Sequence, residues 1–306
     1  QKYKKKYCKS FIFGLDLSYK KLNNKRKNMI IFKEQKELKK YLAKLNYNLI
    51  GFVPTMGALH EGHISLIKMS NKSCNITVCS IYVNPTQFNN TDDLLKYPKT
   101  IKDDIKILKQ NKCDVLYCPD DEDLYKVNEK PGEYKFNGIE LYLEGKYRPG
   151  HFNGVATVVE KLLKIINPKK VFFGEKDLQQ LMIIKNLVMQ KNILTEVIGC
   201  PTIREKNGLA KSSRNQHLSK TDREDCGVIY KQLLEFKHLF QKMNLSELKD
   251  QIISNITKNN KIKIEYLELI NLDTFKSVEV HHISMKYAVC IAVSVSGVRL
   301  IDNIIL

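Results

Sequence analysis

An α/β fold with a parallel sheet, followed by a smaller α+β unit, is what the sequence predicts. Short β-branched apolar runs recur at 49–53, 77–83, 114–118, 171–173 and 194–198. Helical patterns separate most of them, the alternation that produces right-handed crossovers and parallel strands. Beyond Thr202 the order changes to two helical patterns and then a series of strand-like runs. That change places a boundary near Cys200, with expected domains at 29–200 and 201–306.

A chain of 306 residues, 43% of them hydrophobic, can bury a sizeable core. No apolar run approaches ~18 residues, so no membrane span is expected. The eight cysteines include no CxxC pair and offer no zinc-site spacing. Cys74, Cys79, Cys113 and Cys118 lie in mostly apolar runs and read as reduced thiols of a cytoplasmic protein. The net charge of +18 raises the question of nucleic acid. Residues 1–28 hold nine Lys and Arg26 against one acid, Asp16, which is half of that excess. The remainder is spread among many acids, so the charge reads as a tail plus solvated surface and no nucleic-acid partner is expected.

Taken in order, residues 1–28 show no clear period and lack the features of a secretory signal or a transit peptide. They are expected to be a disordered extension upstream of a natural start at Met29. Residues 29–46 read as a short strand and an amphipathic helix with Leu38, Tyr41, Leu42 and Leu45 on one face. The run 49–53 is a buried strand and 64–72 a helix. Strand 77–83 ends at Asn84-Pro85, 100–111 is a helix, and strand 114–118 stops at Pro119. Residues 143–153 form a Gly- and Pro-bearing loop before an apolar helix at 155–166. Strand 171–173, a helix at 178–190 and strand 194–198 follow. After a polar loop at 204–215, helices are expected at 221–242 and 245–258, and strands at 261–270, 276–283 and 285–295.

The stretch 53–67, VPTMGALHEGHISLI, organises the rest. A strand breaks at Pro54, passes Gly57 and Gly62, and resumes as a helix. Such a turn brings backbone N–H groups to a helix N-terminus, where an anion can bind. His60 and His63 are three residues apart and can face the same anion. Alone, they could equally be satisfied surface histidines. Ligands of parallel sheets bind at the carboxyl ends of strands, which puts this turn and Asn84–Gln87 in one cleft.

The His-x-Gly-His turn is similar to the HIGH signature of adenylyl-transferring nucleotidyltransferases. Further stretches sharpen the likeness: YVNPTQF (82–88), YPKT (97–100), EGKYRPGHFNGVATVVEKL (144–162), VFFGEKDLQQL (171–181), PTIRE (201–205), LAKSSRN (209–215) and RLIDN (299–303). With PTMGALHEGH (54–63), they make the chain from Met29 onward resemble the pantothenate synthetases, the ATP-dependent pantoate–β-alanine ligases. The resemblance implies a Rossmann-like nucleotidyltransferase domain with a small C-terminal lid, a homodimer, and condensation of pantoate with β-alanine through a pantoyl adenylate. It implies catalytic roles for His63 and His60. It further implies ATP binding by Met56, Gly57, Ala58, Leu59, His60, Glu61, Gly62, His63, Gly174, Glu175, Lys176, Asp177, Ile203, Lys211, Ser212, Ser213 and Arg214.

Pantoate is expected on Gln87 and Gln180, whose neutral amides leave a carboxylate nucleophilic where a Lys or Arg would quench it. Lys176 can hold a phosphate as a point charge and Asp177 the ribose hydroxyls. Ser212, Ser213 and Arg214 suit a leaving pyrophosphate. Lys211 departs from the usual apolar residue and is expected to point to solvent. Tyr82 and Leu178 replace the commoner Phe and Tyr and preserve bulk. Mg²⁺ is expected with ATP, held largely by phosphates and water, with Asp103 or Asp104 as possible helpers. Two rival readings are another adenylyltransferase, which has no need of NPTQF and GEKDLQQ together, and a basic binding protein, which leaves the paired histidines unexplained.

Overall fold

A computed structural model describes residues 28–46, 49–89, 94–127, 129–280, 282 and 284–306. The extension expected at 1–28 therefore lies outside the described residues except for Asn28. Among those described, the chain runs β1 (Ile30–Phe32), α1 (Gln35–Leu42), β2 (Ile50–Thr55), α2 (Glu61–Ser73), β3 (Ile76–Ile81), α3 (Ile101–Gln110) and β4 (Val115–Tyr117). It continues through α4 (Asp121–Leu124), α5 (Leu143–Tyr147), α6 (His151–Ile166), β5 (Lys170–Gly174), α7 (Leu178–Gln190) and β6 (Glu196–Cys200). The last third holds α8 (Lys220–Asp225), α9 (Gly227–Leu239), α10 (Leu245–Thr257), β7 (Ile262–Asn271), β8 (Tyr287–Val295) and β9 (Val298–Ile305).

The first six strands form a parallel sheet in the order β1-β4-β3-β2-β5-β6. Both faces are covered, which is why β2 and β3 read as apolar runs without alternation. Phe52, Val78 and Phe173 point to the face packed by α1, α6 and α7. Their neighbours Val53, Cys79 and Phe172 point to the face carrying Leu66 and Ile67 of α2 and Leu108 of α3. From β2 the chain builds outward through β3 and β4, then resumes on the other side of β2 with β5. The crevice beyond the carboxyl ends of β2 and β5 is the place where such a sheet admits a ligand.

The last three strands form an antiparallel sheet with β8 in the middle. Alternation along β8 assigns its two faces. Ala288, Cys290 and Ala292 join the core of the parallel-sheet unit, together with Tyr266 and Ile270 of β7. Val289, Ile291, Val293 and Val295 pack with Leu233 and Phe236 of α9 and Leu248 and Ile252 of α10. Small residues on one side let this sheet lie close to the first unit.

Three expectations are corrected. The segment 143–153 is not one loop: α5 occupies its start, and α6 begins at His151 behind Gly150 at φ +80°. The helix expected at 221–242 divides at Cys226 into α8 and α9. Residues 276–280 form no strand: they return along β7 only for the bridge of Ile270 to Ser277 and its two flanking backbone bonds, and then bend away. The third strand is β9, which carries Arg299, Asp302 and Asn303. No described helix is long and apolar enough to cross a membrane.

Arg299 ties the two units together. Its guanidinium donates to Glu144 Oε2 at 2.6 Å and to Oε1 at 2.8 Å, and Tyr266 Oη adds a bond to Oε1 at 2.8 Å. Burial works against the Glu144 charge, but Arg299 and Tyr266 hold its carboxyl below the usual range. Arg299→Met is expected to leave that buried carboxylate with only the more distant cation of Arg148, 3.8 Å away, at a cost of about 3 kcal/mol. The denaturant midpoint should fall at unchanged slope. An unchanged midpoint would show that the pair contributes little net stability.

Candidate active site

The turn after β2 is closed by its own side chains. Gly57 N–H donates to Thr55 Oγ1 at 3.2 Å, and that hydroxyl donates to Ser80 O at 2.7 Å. Ala58 N–H and Leu59 N–H donate to Asp104 Oδ2 and Oδ1, at 3.1 and 2.8 Å. Thr100 Oγ1 adds a third donor to Asp104, whose side chain is buried. His60 N–H donates to His63 Nδ1 at 3.3 Å, and Gly62 N–H donates to His60 Nδ1 at 3.1 Å. Ala58 is held at φ +49° by this lacing. The expectation of free backbone N–H groups facing an anion is thereby corrected: those of Gly57 through His60 and of Gly62 are spent inside the turn.

The donors that remain are imidazoles. Each ring accepts a backbone proton at Nδ1, so in the neutral form each must carry its own proton on Nε2. The rings lie 4.2 Å apart between centroids. Gly62 makes this possible, since a Cβ there would stand 2.8 Å from His60 Cε1. Burial, followed by the nearby Lys176 charge, lowers the His60 pKa to about 4. Burial, His60 and Lys176 lower that of His63 to about 3. Both are therefore neutral donors near pH 7.

The carboxyl end of β3 presents Gln87 on a short 3₁₀ turn, Pro85–Gln87. Buried Asn84 donates to Gln87 Oε1 and to Gly154 O, both at 3.1 Å, while Gln87 Nε2 lies 3.2 Å from Met56 Sδ. Gly154 lets α6 seat against this turn, because a Cβ there would meet Thr86 O at 2.3 Å. Gln180 stands on the first turn of α7, and its side chain makes no hydrogen bond to another described residue.

Beyond β5, the turn Glu175–Asp177 brings Lys176 Nζ to 3.5 Å from Asp177 Oδ1. Its backbone is held from the far end of the chain, where Asn303 Nδ2 donates to Glu175 O at 2.9 Å and Lys176 O at 2.8 Å. Neighbouring Asp302 binds Arg204 through both oxygens, at 2.6 and 2.9 Å. Arg204 thereby fixes the loop that carries Ile203 and the 211–214 segment. Within that segment Ser212 Oγ accepts from Arg214 N–H at 3.3 Å, and Asn215 braces it to Glu205 and Ala210. Lys211 does not point to solvent as expected. Its Nζ lies 3.3 Å from Glu61 Oε2, and its side chain is 19% exposed.

A cavity of about 250 Å³ gathers Met56, His60, Gly62, His63, Gln87, Gly174, Lys176, Asp177, Gln180, Ile203 and Lys211–Arg214. Gly57, Ala58, Leu59, Glu61 and Glu175 do not border it; they shape or brace the turns that do. A second, larger cavity of about 770 Å³ opens towards the C-terminal sheet and shares Tyr97, Arg148, His151, Lys176 and Gln180 with the first. Asp104 does not fit a metal role, since both oxygens hold the turn, and Asp103 is exposed beside Lys106. Asn84, Asn303 and His151 lay inside conspicuous stretches of sequence, yet their roles depend on contacts across 70, 128 and 64 residues.

The two histidines should leave a signature in stability. Their pKa values are lower folded than unfolded, so the unfolded chain binds more protons between about pH 3 and 6.5. Their contribution is complete above that window and is lost as pH falls through it, by about 1.4 kcal/mol per pH unit for each fully neutral ring. Unfolding curves of the wild type and of a His60→Asn/His63→Asn variant should converge on acidification. Parallel curves would mean that the rings are not held neutral.

The family profile for pantoate-beta-alanine ligase matches residues 30–305. A pantothenate synthetase from Flavobacterium psychrophilum is 43% identical over 90% of this chain and 99% of its own length. One from Azobacteroides pseudotrichonymphae is 45% identical with the same coverages. The crystal structure of pantothenate synthetase from Thermus thermophilus superposes with a TM-score of 0.83 at 33% identity, over 90% of this chain and 99% of that one. A pantoate-beta-alanine ligase from Francisella tularensis, complexed with beta-gamma ATP and beta-alanine, gives 0.73 at 40% identity, over 90% and 97%. By sequence and by fold, the chain belongs to the pantoate-beta-alanine ligase family.

Proposed function

We propose that the chain condenses pantoate with β-alanine at the expense of ATP, giving pantothenate, AMP and pyrophosphate through a pantoyl adenylate. One observation carries the assignment of roles: two neutral imidazole donors, a lysine and the Ser212–Arg214 segment meet two uncharged amides in a single cavity. The pantoate carboxylate attacks the α-phosphorus and pyrophosphate departs. Negative charge grows on the phosphate oxygens during this step, and preorganised donors at His60 and His63 stabilise it without reorganising. Lys176 and Arg214 supply the positive charge that the neutral histidines do not. Asp177 is placed for ribose hydroxyls, Ile203 for the adenine, and Gln87 and Gln180 for pantoate.

Among the described residues no group of three or more His, Cys, Asp or Glu could hold a metal ion. Mg²⁺ suits this site as an ion carried on the ATP phosphates and water, where it would neutralise phosphate charge. Residues 29–200 serve as the nucleotide and pantoate domain, and 201–306 as the lid. A homodimer in the cytoplasm completes the reading.

His63→Ala is expected to slow adenylate formation by roughly 10²–10³, as for loss of one preorganised donor, with little change in ATP or pantoate binding. Single-turnover release of pyrophosphate measures it. A variant that forms adenylate at the normal rate and fails only at the amide step would refute the role.

Gln87→Ala and Gln180→Ala should weaken pantoate by roughly 1–3 kcal/mol each, through polar groups of the substrate left unpaired. ATP affinity should hold. Equal losses for both substrates in titration calorimetry would mean that these residues shape the cavity instead.

A further inference from the structure

We infer that His151 is the proton acceptor for the amine of β-alanine in the second half-reaction, a role that rests on the activity proposed above. His151 opens α6 and is 7% exposed. Its Nδ1 lies 2.7 Å from Gln87 O, and a carbonyl can only accept, so Nδ1 carries the ring proton. The lone pair is therefore on Nε2, the opposite tautomer to His60 and His63. Nε2 has no partner among the described residues, yet it is not one of the buried polar atoms left without one. It opens on the cavity wall.

The place of that wall is informative. His151 borders both cavities, the smaller with His63, Gln87 and Gln180, and the larger opening towards the C-terminal sheet. A second substrate arriving through the larger space meets the acyl group of an adenylate at this boundary. Other acceptors there are engaged: Glu144 by Arg299 and Tyr266, Asp302 by Arg204, and Asp177 by Lys176. His217, on the larger cavity, lies exposed at its rim. Burial and the Arg148 charge keep His151 unprotonated, with a pKa of about 4.

The chemistry balances as follows. The ammonium of β-alanine loses one proton to water, and its lone pair forms the N–C bond to the adenylate carbonyl carbon. The nitrogen of this tetrahedral adduct is positively charged and far more acidic than the free ammonium, so even a weakened imidazole can take its proton. His151 Nε2 receives it, the C–O bond to phosphate breaks with its electron pair, and AMP departs. The imidazolium then releases the proton to water in the larger cavity.

His151→Asn tests this in the full-length chain. The Asn amide can still donate to Gln87 O, but nothing replaces the Nε2 lone pair. Pantoate-dependent pyrophosphate release should stay within about threefold of wild type. Amide formation from supplied pantoyl adenylate should fall about 10²-fold in kcat, as for loss of a general base, with KM for β-alanine nearly unchanged. His151→Gln, whose carbonyl accepts a hydrogen bond but not a proton, should show the same second-step defect. Wild-type amide formation in either variant overturns the inference, and so does an equal fall in both half-reactions, which would make His151 a support for Gln87. Absence of pantoate-dependent pyrophosphate release in the unaltered chain would overturn the proposed activity itself.

Discussion

Two oxygens of one buried carboxylate, Asp104, set the terms for the whole site. They take the N–H groups of Ala58 and Leu59, and Thr100 supplies a third donor. Charge-assisted bonds of this kind are strong enough to hold a non-glycine residue in the left-handed region. In glycine-rich phosphate loops the backbone N–H groups themselves cradle the anion. Here they are consumed, and two imidazoles cap the following helix beside the cavity. The donors left to the cavity are thus side chains whose tautomers are dictated by the backbone bonds beneath them.

Burial serves the three histidines in one way and the hydrogen bonds in another. Desolvation keeps His60, His63 and His151 uncharged. Which nitrogen holds the proton is then decided locally, by a backbone N–H in two cases and by a carbonyl in the third. One residue type therefore presents two Nε2 donors and one Nε2 acceptor to adjoining cavities. Neutral donors spare the site the repulsion that two imidazolium ions 4.2 Å apart would suffer. Positive charge at the cavity is left to side chains such as Lys176 and Arg214.

The parallel sheet and most of its helices were legible because buried strands and amphipathic helices leave strong local patterns. The site turns were legible for a different reason: Gly57, Gly62 and Gly174 interrupt those patterns at strand ends, where ligands bind. Cavity-lining residues such as His60 and Gln87 therefore stood out. Their supports did not. Asp103 or Asp104 reads as no more than a helper of Mg²⁺, because a carboxylate at a helix start carries no mark of what it faces. Lys211 looked solvated because its partner, Glu61, lies far earlier in the chain. Segment 276–283 had the alternation of a strand, but alternation cannot say how far a segment stays alongside the edge it meets, here a single bridge to β7. Strand β9 was obscured by the polar run Asp302-Asn303, whose side chains hold other loops instead of facing water.

Asn303 grips the two carbonyls of the Glu175–Lys176 turn, and Asp302 fixes the loop bearing Ile203. During synthesis, the parallel sheet can emerge from the ribosome and pack while β9 is still unmade or inside the exit tunnel. The turn carrying Lys176 then exists without its clamp. A nascent chain in that state holds most of its hydrophobic core but lacks the clamp on one wall of the cavity. Closure of the Lys176 turn therefore waits on a side chain made 128 residues after Glu175.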